Sequence, residues 1–500
     1  MSADRPTLMR VLTAAGYRTH AIGKMHFQPP RRSFGFQSME ISEEIPRSVE
    51  QDDFLCFLQG RGFAHVHEPH GIRSDMYYIP QVSQLPAPLH TTAWTADRAA
   101  AFLRGHDQRQ PFFLWMSFIR PHPPFDPPVP WNKLYRTVDM PKPFRPEGYQ
   151  ALQTWWMRHQ NRYKYRESGP DDTLARTIRA AYLTCISFID HELGRVLRVL
   201  ATTGLAERTL GLFTADHGEL LGDYASWGKR SFLDPAARVP LIARWPGRLA
   251  PGGVCSAPVS LLDLMPTALG AAGIDPAPCG LDGVPLTEER RPPCVFGQLD
   301  RGARGTYMVT DDRHKYFYSA PDDREFLFDL ADHASGGRES RNLAAAPDRR
   351  QTLEALRATL IGRLRRDGYE EPLDGEHWRC YPPPPEPETT RTRIASFRRR
   401  SGWIPGRACQ DTRQRGCRRS GSADAGAPSG LGRSPFPRPD TTTAAPAEAR
   451  TALQKSVFAP AESRGPLGDK GYRSSGLAKA DFCSGHLGPR GIGASDPHWE

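Results

Sequence analysis

Apolar residues recur at steps of three and four in some stretches of the chain and run almost unbroken in others. Leu8, Val11, Leu12 and Ala15 have helical spacing, and Gly16 stands where a helix would stop. Residues 95–103 suit a second helix. The longest pattern joins Leu174, Ile178, Tyr182, Ile186, Ile189, Leu193, Val196, Leu197 and Leu200; Asp171-Asp172 can cap it and Gly204 can end it. Leu353, Leu356, Leu360, Ile361 and Leu364 mark a fourth helix. Residues 111–119 are a continuous apolar run, as expected of a strand buried on both faces, 210–215 and 239–245 read as two more buried strands, and 17–22 reads as a short strand. This alternation predicts an α/β fold with a mostly parallel sheet covered by helices.

Residues 28–90 are rich in Pro, Gly and His and are expected to form long loops over the sheet edge. After residue 300 the pattern changes. Short segments at 307–310, 315–319 and 325–329, joined by charged turns, predict a smaller antiparallel sheet next to the last helix, with Asp311-Asp312 as a hairpin turn. From about residue 377 the pattern breaks. Residues 391–500 mix Arg, Ser, Gly, Ala and Pro with no apolar period, so they cannot bury enough surface to fold. A GC-rich gene read in a shifted frame would give the same composition. The expected organisation is a core at 1–300, a small subdomain at 301–376 and a disordered tail at 377–500.

Composition refines this picture. Five hundred residues, 38% of them hydrophobic, suffice for one large domain and a smaller companion. The net charge of +10 gathers largely in the Arg-rich tail, where aromatics are sparse, so no nucleic-acid partner is expected. The nine cysteines show no CxxC pair and read as buried or incidental thiols. No run of 18 apolar residues marks a membrane span, and the start lacks a basic-then-apolar leader; a cytoplasmic location is the default expectation.

The chemistry gathers at strand ends. The run 210–215 stops at Asp216-His217-Gly218, and Lys229 follows a glycine-rich loop. A carboxylate and an imidazole side by side can both face a metal ion. The first strand delivers Gly23-Lys24-Met25-His26, and Pro121-His122-Pro123-Pro124 closes the run at 111–119. Two ammonium groups and two imidazoles at strand ends can converge on the carboxyl edge of the sheet, where open α/β folds bind ligands. Such a set suits a tetrahedral oxyanion. His65, His67 and His70 also have ligand-like spacing but read as loop residues.

Taken in order, GYRTHAIGKMHF from Gly16, PFFLWMSFIRPHPPFDPP from Pro111, TADHGELLGDYASWGK from Thr214, RVPLIARWPG from Arg238 and SLLDLMPT from Ser260 resemble the sulfatase family of the alkaline-phosphatase superfamily. The segments His314-Lys315-Tyr316, 325–330 and Arg341-Asn342-Leu343 continue the match, which spans residues 6–370. The resemblance implies hydrolysis of a small-molecule or saccharide sulfate ester with a formylglycine nucleophile and a divalent metal. Calcium is the family's usual ion, while the nitrogen of His217 leans toward manganese, zinc or iron. It further implies that Asp216 and His217 ligate the metal and that Lys24 and Lys229 bind sulfuryl oxygens. His26 would act as base on the formylglycine hydroxyl, and His122, with Lys229, would serve the leaving oxygen.

Family members open with a strand bearing paired aspartates and then a C/S-x-P-S-R motif. Neither is found here. Cys380-Tyr381-Pro382 is followed by Pro383-Pro384, and Ser319-Ala320-Pro321 by Asp322-Asp323. The chain therefore reads as an N-terminally truncated member, expected to lack turnover and, with sheet faces uncovered, to be poorly soluble. A phosphonate monoester or phosphodiester hydrolase of the same superfamily is the alternative, and a non-catalytic fragment a third reading.

Overall fold

The computed structural model describes residues 5–46, 48–73, 77–164, 171–289, 291–331 and 337–385. Of the tail expected at 377–500, residues 377–385 are described: His377–Trp378 pairs antiparallel with Leu373–Asp374, and Trp378 Nε1 donates to Tyr316 Oη (2.7 Å), so order extends past the expected boundary; the rest of the tail lies outside the described residues. Helix α1 (Leu8–Ala14) begins at Thr7, whose hydroxyl accepts the Arg10 amide, and leads into β1 (Arg18–Gly23). Strand β1 is buried along most of its length because it is central: it pairs in parallel with β2 (Ser38–Ile41) on one side and β3 (Phe112–Ser117) on the other. Helix α2 (Asp53–Gly60) is capped by Asp52, and α3 (Thr91–Arg104) packs beside the 31-residue α5 (Asp172–Thr202). Ile22, Phe54, Leu58, Trp94, Leu103, Val196 and Val199 form the core between these helices and the sheet. Each such side chain contributes about 1.5–3 kcal/mol when fully buried.

Two expectations need correction. Residues 28–90 are not all loop, since β2 and α2 lie within them. The runs at 210–215 and 239–245 do form strands, β4 (Gly211–Thr214) and β5 (Leu241–Arg244), but they are not buried. They pair with each other, antiparallel, as a separate two-stranded ribbon. Phe213 is 38% exposed and Ile242 62%. An apolar run signals that a strand needs cover; which neighbours supply it is decided by tertiary pairing, and none of the described residues covers these faces.

Helix α4 (Trp155–Lys164) and the short α6 (Asp234–Ala237) flank the loop that carries Lys229, and α7 (Leu264–Ala271) follows β5. The anticipated antiparallel sheet has one strand more than expected, in the order β6 (Val295–Leu299), β7 (Thr306–Thr310), β8 (His314–Ser319), β9 (Arg324–Asp329). Its alternate residues serve two cores. Tyr307, Val309, Tyr316 and Leu327 pack with Leu353, Leu356 and Leu360 of α8 (Arg350–Arg366), while Met308, Phe317 and Phe326 pack with Phe232 and Leu233. Asp311 closes the β7–β8 hairpin as expected, its carboxylate accepting the amides of Arg313 and His314. No helix among the described residues is long and apolar enough to cross a membrane.

Candidate active site

Three strands end at one cluster of charged side chains. Strand β1 ends at Gly23 (φ +95°), where a Cβ would lie 1.9 Å from the Ser117 carbonyl oxygen, so only glycine lets the chain pass β3 here. Lys24 and His26 follow. His26 is held in a left-handed conformation (φ 53°) by Glu43, whose Oε1 accepts the amides of Met25 (2.9 Å) and His26 (2.8 Å) and whose Oε2 lies 3.1 Å from His26 Nδ1. The hydrogen bonds to Glu43 and Glu44 raise the His26 pKa above its usual value, outweighing burial and the charge of Lys24.

Beyond β3, the buried Arg120 fixes the loop that presents His122. Its guanidinium donates to the carbonyls of His122 (2.9 Å) and His70 (2.7 Å), and its Nε stands 2.5 Å from Asp126. His122 Nδ1 faces two acceptors, Glu44 Oε2 at 2.9 Å and the Pro123 carbonyl at 3.0 Å. It must therefore carry the hydrogen, which leaves Nε2 without one in the neutral ring. Burial pushes the His122 pKa down to about 3, against the pull of Glu44.

Strand β4 delivers Asp216 and His217. Gly218 is required at the bend, because a Cβ there would meet the Pro235 carbonyl oxygen at 2.1 Å. His217 Nδ1 donates to the Gly218 carbonyl (2.7 Å), so its Nε2 lone pair is the free one, and Lys229 Nζ stands 2.9 Å from it. Burial lowers the His217 pKa to about 4. Desolvation, then the charge of Lys24, also lowers that of Lys229. The surroundings of Asp216 oppose its ionisation, but His217, Lys24 and Lys229 outweigh them and hold its carboxyl below the usual range. Glu219 shapes the intervening loop, accepting Tyr78 Oη (3.0 Å) and the Gly228 amide (2.5 Å). Gln160 of α4 accepts the Lys229 amide (3.2 Å).

All six residues singled out in the sequence thus belong to one cluster. Lys24 and His122 share Glu44, the rings of His122 and His217 lie 6.0 Å apart, and Lys229 touches His217. Sequence reasoning missed Glu43, Glu44, Arg73 and Arg120. The adjacent carboxylates at the carboxyl end of β2 were a usable signal, hidden because residues 28–90 read as loop. His70 is buried against Phe54. Ser319 donates to Asp322, and Cys380 is exposed near Asp323.

A divalent ion fits this arrangement poorly. Among the described residues no group of three His, Cys, Asp or Glu side chains is placed to hold one. Asp216 and His217 give two donors, and the Lys229 ammonium faces the imidazole lone pair a metal would need.

Cationic and imidazole groups thus gather at the carboxyl ends of these strands. The sequence pattern of the sulfatase family matches residues 2–274, and the chain belongs to that family. It is 29% identical over 399 residues to an arylsulfatase of Clostridium perfringens (strain 13 / Type A), covering 73% of this chain and 79% of the relative. It is 30% identical over 353 residues to a choline-sulfatase of Rhizobium meliloti (strain 1021), covering 65% of each. Among solved structures it resembles the phosphonate monoester hydrolase SpPMH from Silicibacter pomeroyi, with 25% identity, a TM-score of 0.59, and coverage of 76% of this chain and 85% of that one.

Proposed function

We propose that the cluster binds the sulfuryl group of a sulfate monoester, small-molecule or saccharide, and stabilises charge as the ester bond breaks. The convergence of Lys24 and Lys229 with His26, His122 and His217 in one cluster carries this reading. Sulfate ester cleavage leaves negative charge on the sulfuryl oxygens and pushes more onto the leaving oxygen. Lys24 and Lys229 take the sulfuryl oxygens. His122, its Nδ1 proton tied to Glu44 and Pro123, keeps Nε2 for the leaving oxygen. It donates a proton from Nε2 only as imidazolium, a form that Glu44 and a bound anion both favour. His26, made more basic by its glutamates, would serve as the base that releases sulfate from a formylglycine hydroxyl. Sulfatases generally use a divalent metal; Asp216 and His217 are the donors it would find here, and no step above runs through it. In the same reading residues 1–300 carry the site and 301–376 form the companion subdomain.

Titration of 4-nitrophenyl sulfate into the full chain tests the reading. Lys24→Ala and Lys229→Ala should each weaken binding about tenfold or more, since each removes a charge-assisted contact; undiminished binding by both would remove it. Turnover is a separate question. Neither the paired aspartates nor C/S-x-P-S-R stands in residues 1–500, so no release of nitrophenol is expected, and measurable release would overturn that. A second reading, a phosphonate monoester or phosphodiester hydrolase, is supported by the likeness to SpPMH and by His217 beside Asp216. Tighter binding of a phosphonate monoester than of the sulfate ester would favour it.

A further inference from the structure

The centre of the cluster is a carboxylate. Glu44 is 6% exposed, and Lys24 Nζ (3.3 Å), His122 Nδ1 (2.9 Å), His26 Nε2 (3.5 Å) and Arg73 Nη2 (3.7 Å) all converge on it. These include two of the groups assigned above to the anionic substrate, Lys24 and His122, and the proposed base His26. The rest of its surroundings favours the ionised form. Burial pushes its carboxyl up, but the hydrogen bonds from His122 and His26 and the charges of His122 and Lys24 outweigh that and hold it far below the usual carboxylate range. Its neighbour Glu43 is anchored elsewhere, by the amides of Met25 and His26, while the Glu43 amide itself donates to Asp52 (2.7 Å) at the start of α2. Glu44 is thus fixed at the carboxyl end of β2 by backbone on one side and cations on the other.

We infer that Glu44 is the specificity-determining residue of this site: its fixed charge consumes part of the positive field, so the cluster accepts tetrahedral groups with one negative charge and disfavours those with two. The inference rests on the reading of the cluster as an oxyanion pocket. The physical basis is a difference. A ligand bound by Lys24 and His122 lies within a few ångströms of the Glu44 oxygens, and its repulsion from them scales with its own charge. A sulfate monoester, a phosphodiester and a phosphonate monoester each present a single charge at the central group, whereas a phosphate monoester presents two. The same carboxylate also keeps the Nδ1 hydrogen of His122 away from the ligand, so the cost of the charge comes with a fixed tautomer.

Methanesulfonate and methylphosphonate have nearly the same shape but carry one and two charges above the second ionisation of the phosphonate. Calorimetric or NMR titration of both into the full chain, wild type and Glu44→Gln, reads the ratio of their dissociation constants. The wild type should prefer methanesulfonate. Glu44→Gln should shift the ratio toward methylphosphonate on the order of tenfold or more, and Glu44→Asp, which keeps the charge, should shift it far less. Arg73→Gln should move the ratio the opposite way, and it decides the matter if Glu44→Gln does not fold. An unchanged ratio in Glu44→Gln, or in Arg73→Gln where that variant decides, overturns the inference while leaving the oxyanion pocket standing. If the wild type binds neither ligand, or if Lys24→Ala and Lys229→Ala bind both as well as it does, the pocket reading falls and this inference with it.

Discussion

Single side chains show how differently one residue type behaves in this protein. His26 is surface-accessible and held basic by carboxylates, whereas His70 is 3% exposed and burial lowers its pKa to about 3. The folded state therefore keeps the His70 imidazole neutral. The unfolded chain takes up that proton below pH 6.5, so the contribution of His70 is complete above that value and is lost as pH falls toward 3. Between pH 7 and pH 5 this one group should cost about 2 kcal/mol, read as a steeper loss of urea stability in the wild type than in His70→Leu; parallel slopes for the two proteins would contradict the account. Lys315 makes a complementary case. It is 2% exposed and its ammonium bonds to Glu339 (2.5 Å), to Asp234 and to the Phe232 carbonyl (2.8 Å). Removing the cation strands two carboxylates, so Lys315→Met should lose about 3–5 kcal/mol in denaturant unfolding. Neither histidine's fate could be read from its neighbours in sequence, because desolvation depends on what packs over the ring.

At the scale of elements, the caps and edges decide most. Asp52 accepts the Leu55 amide (2.9 Å), which starts α2, and the Glu43 amide (2.7 Å), which anchors the site's carboxylates. Asp52→Ala should cost about 2 kcal/mol by urea unfolding and also weaken anion binding, because one side chain serves both helix and site. A variant with full stability would show that the cap is dispensable. The β4–β5 ribbon stands at the other extreme. Its exposed Phe213 and Ile242 satisfy nothing among the described residues. Ile242→Lys should leave the unfolding free energy within about 0.5 kcal/mol of wild type while reducing self-association in sedimentation experiments. Strongly periodic elements such as α5 and α8 were legible because their own apolar stripe specifies them. β2, β6 and α2 were not, nor was the pairing of β4 with β5, since short elements take their identity from their partners.

For the molecule as a whole, the described residues hold four buried clusters. Because residues 391–500 show no apolar period, a chain ending at residue 385 should unfold with the same midpoint and denaturant slope as the full one; a clear drop in either would assign the remainder a structural role. The sequence by itself determined the strand-then-helix order, the glycines at Gly23 and Gly218 and the identity of Lys24, His26, His122, Asp216, His217 and Lys229, because periodicity and residue chemistry are local properties. Tertiary structure alone decided that Glu44 stands among those cations, that Lys229 faces the lone pair of His217, and that β4 pairs with β5 in the open. Each of these depends on distances between segments far apart along the chain, and such distances are set by which surfaces bury one another rather than by any neighbouring residue.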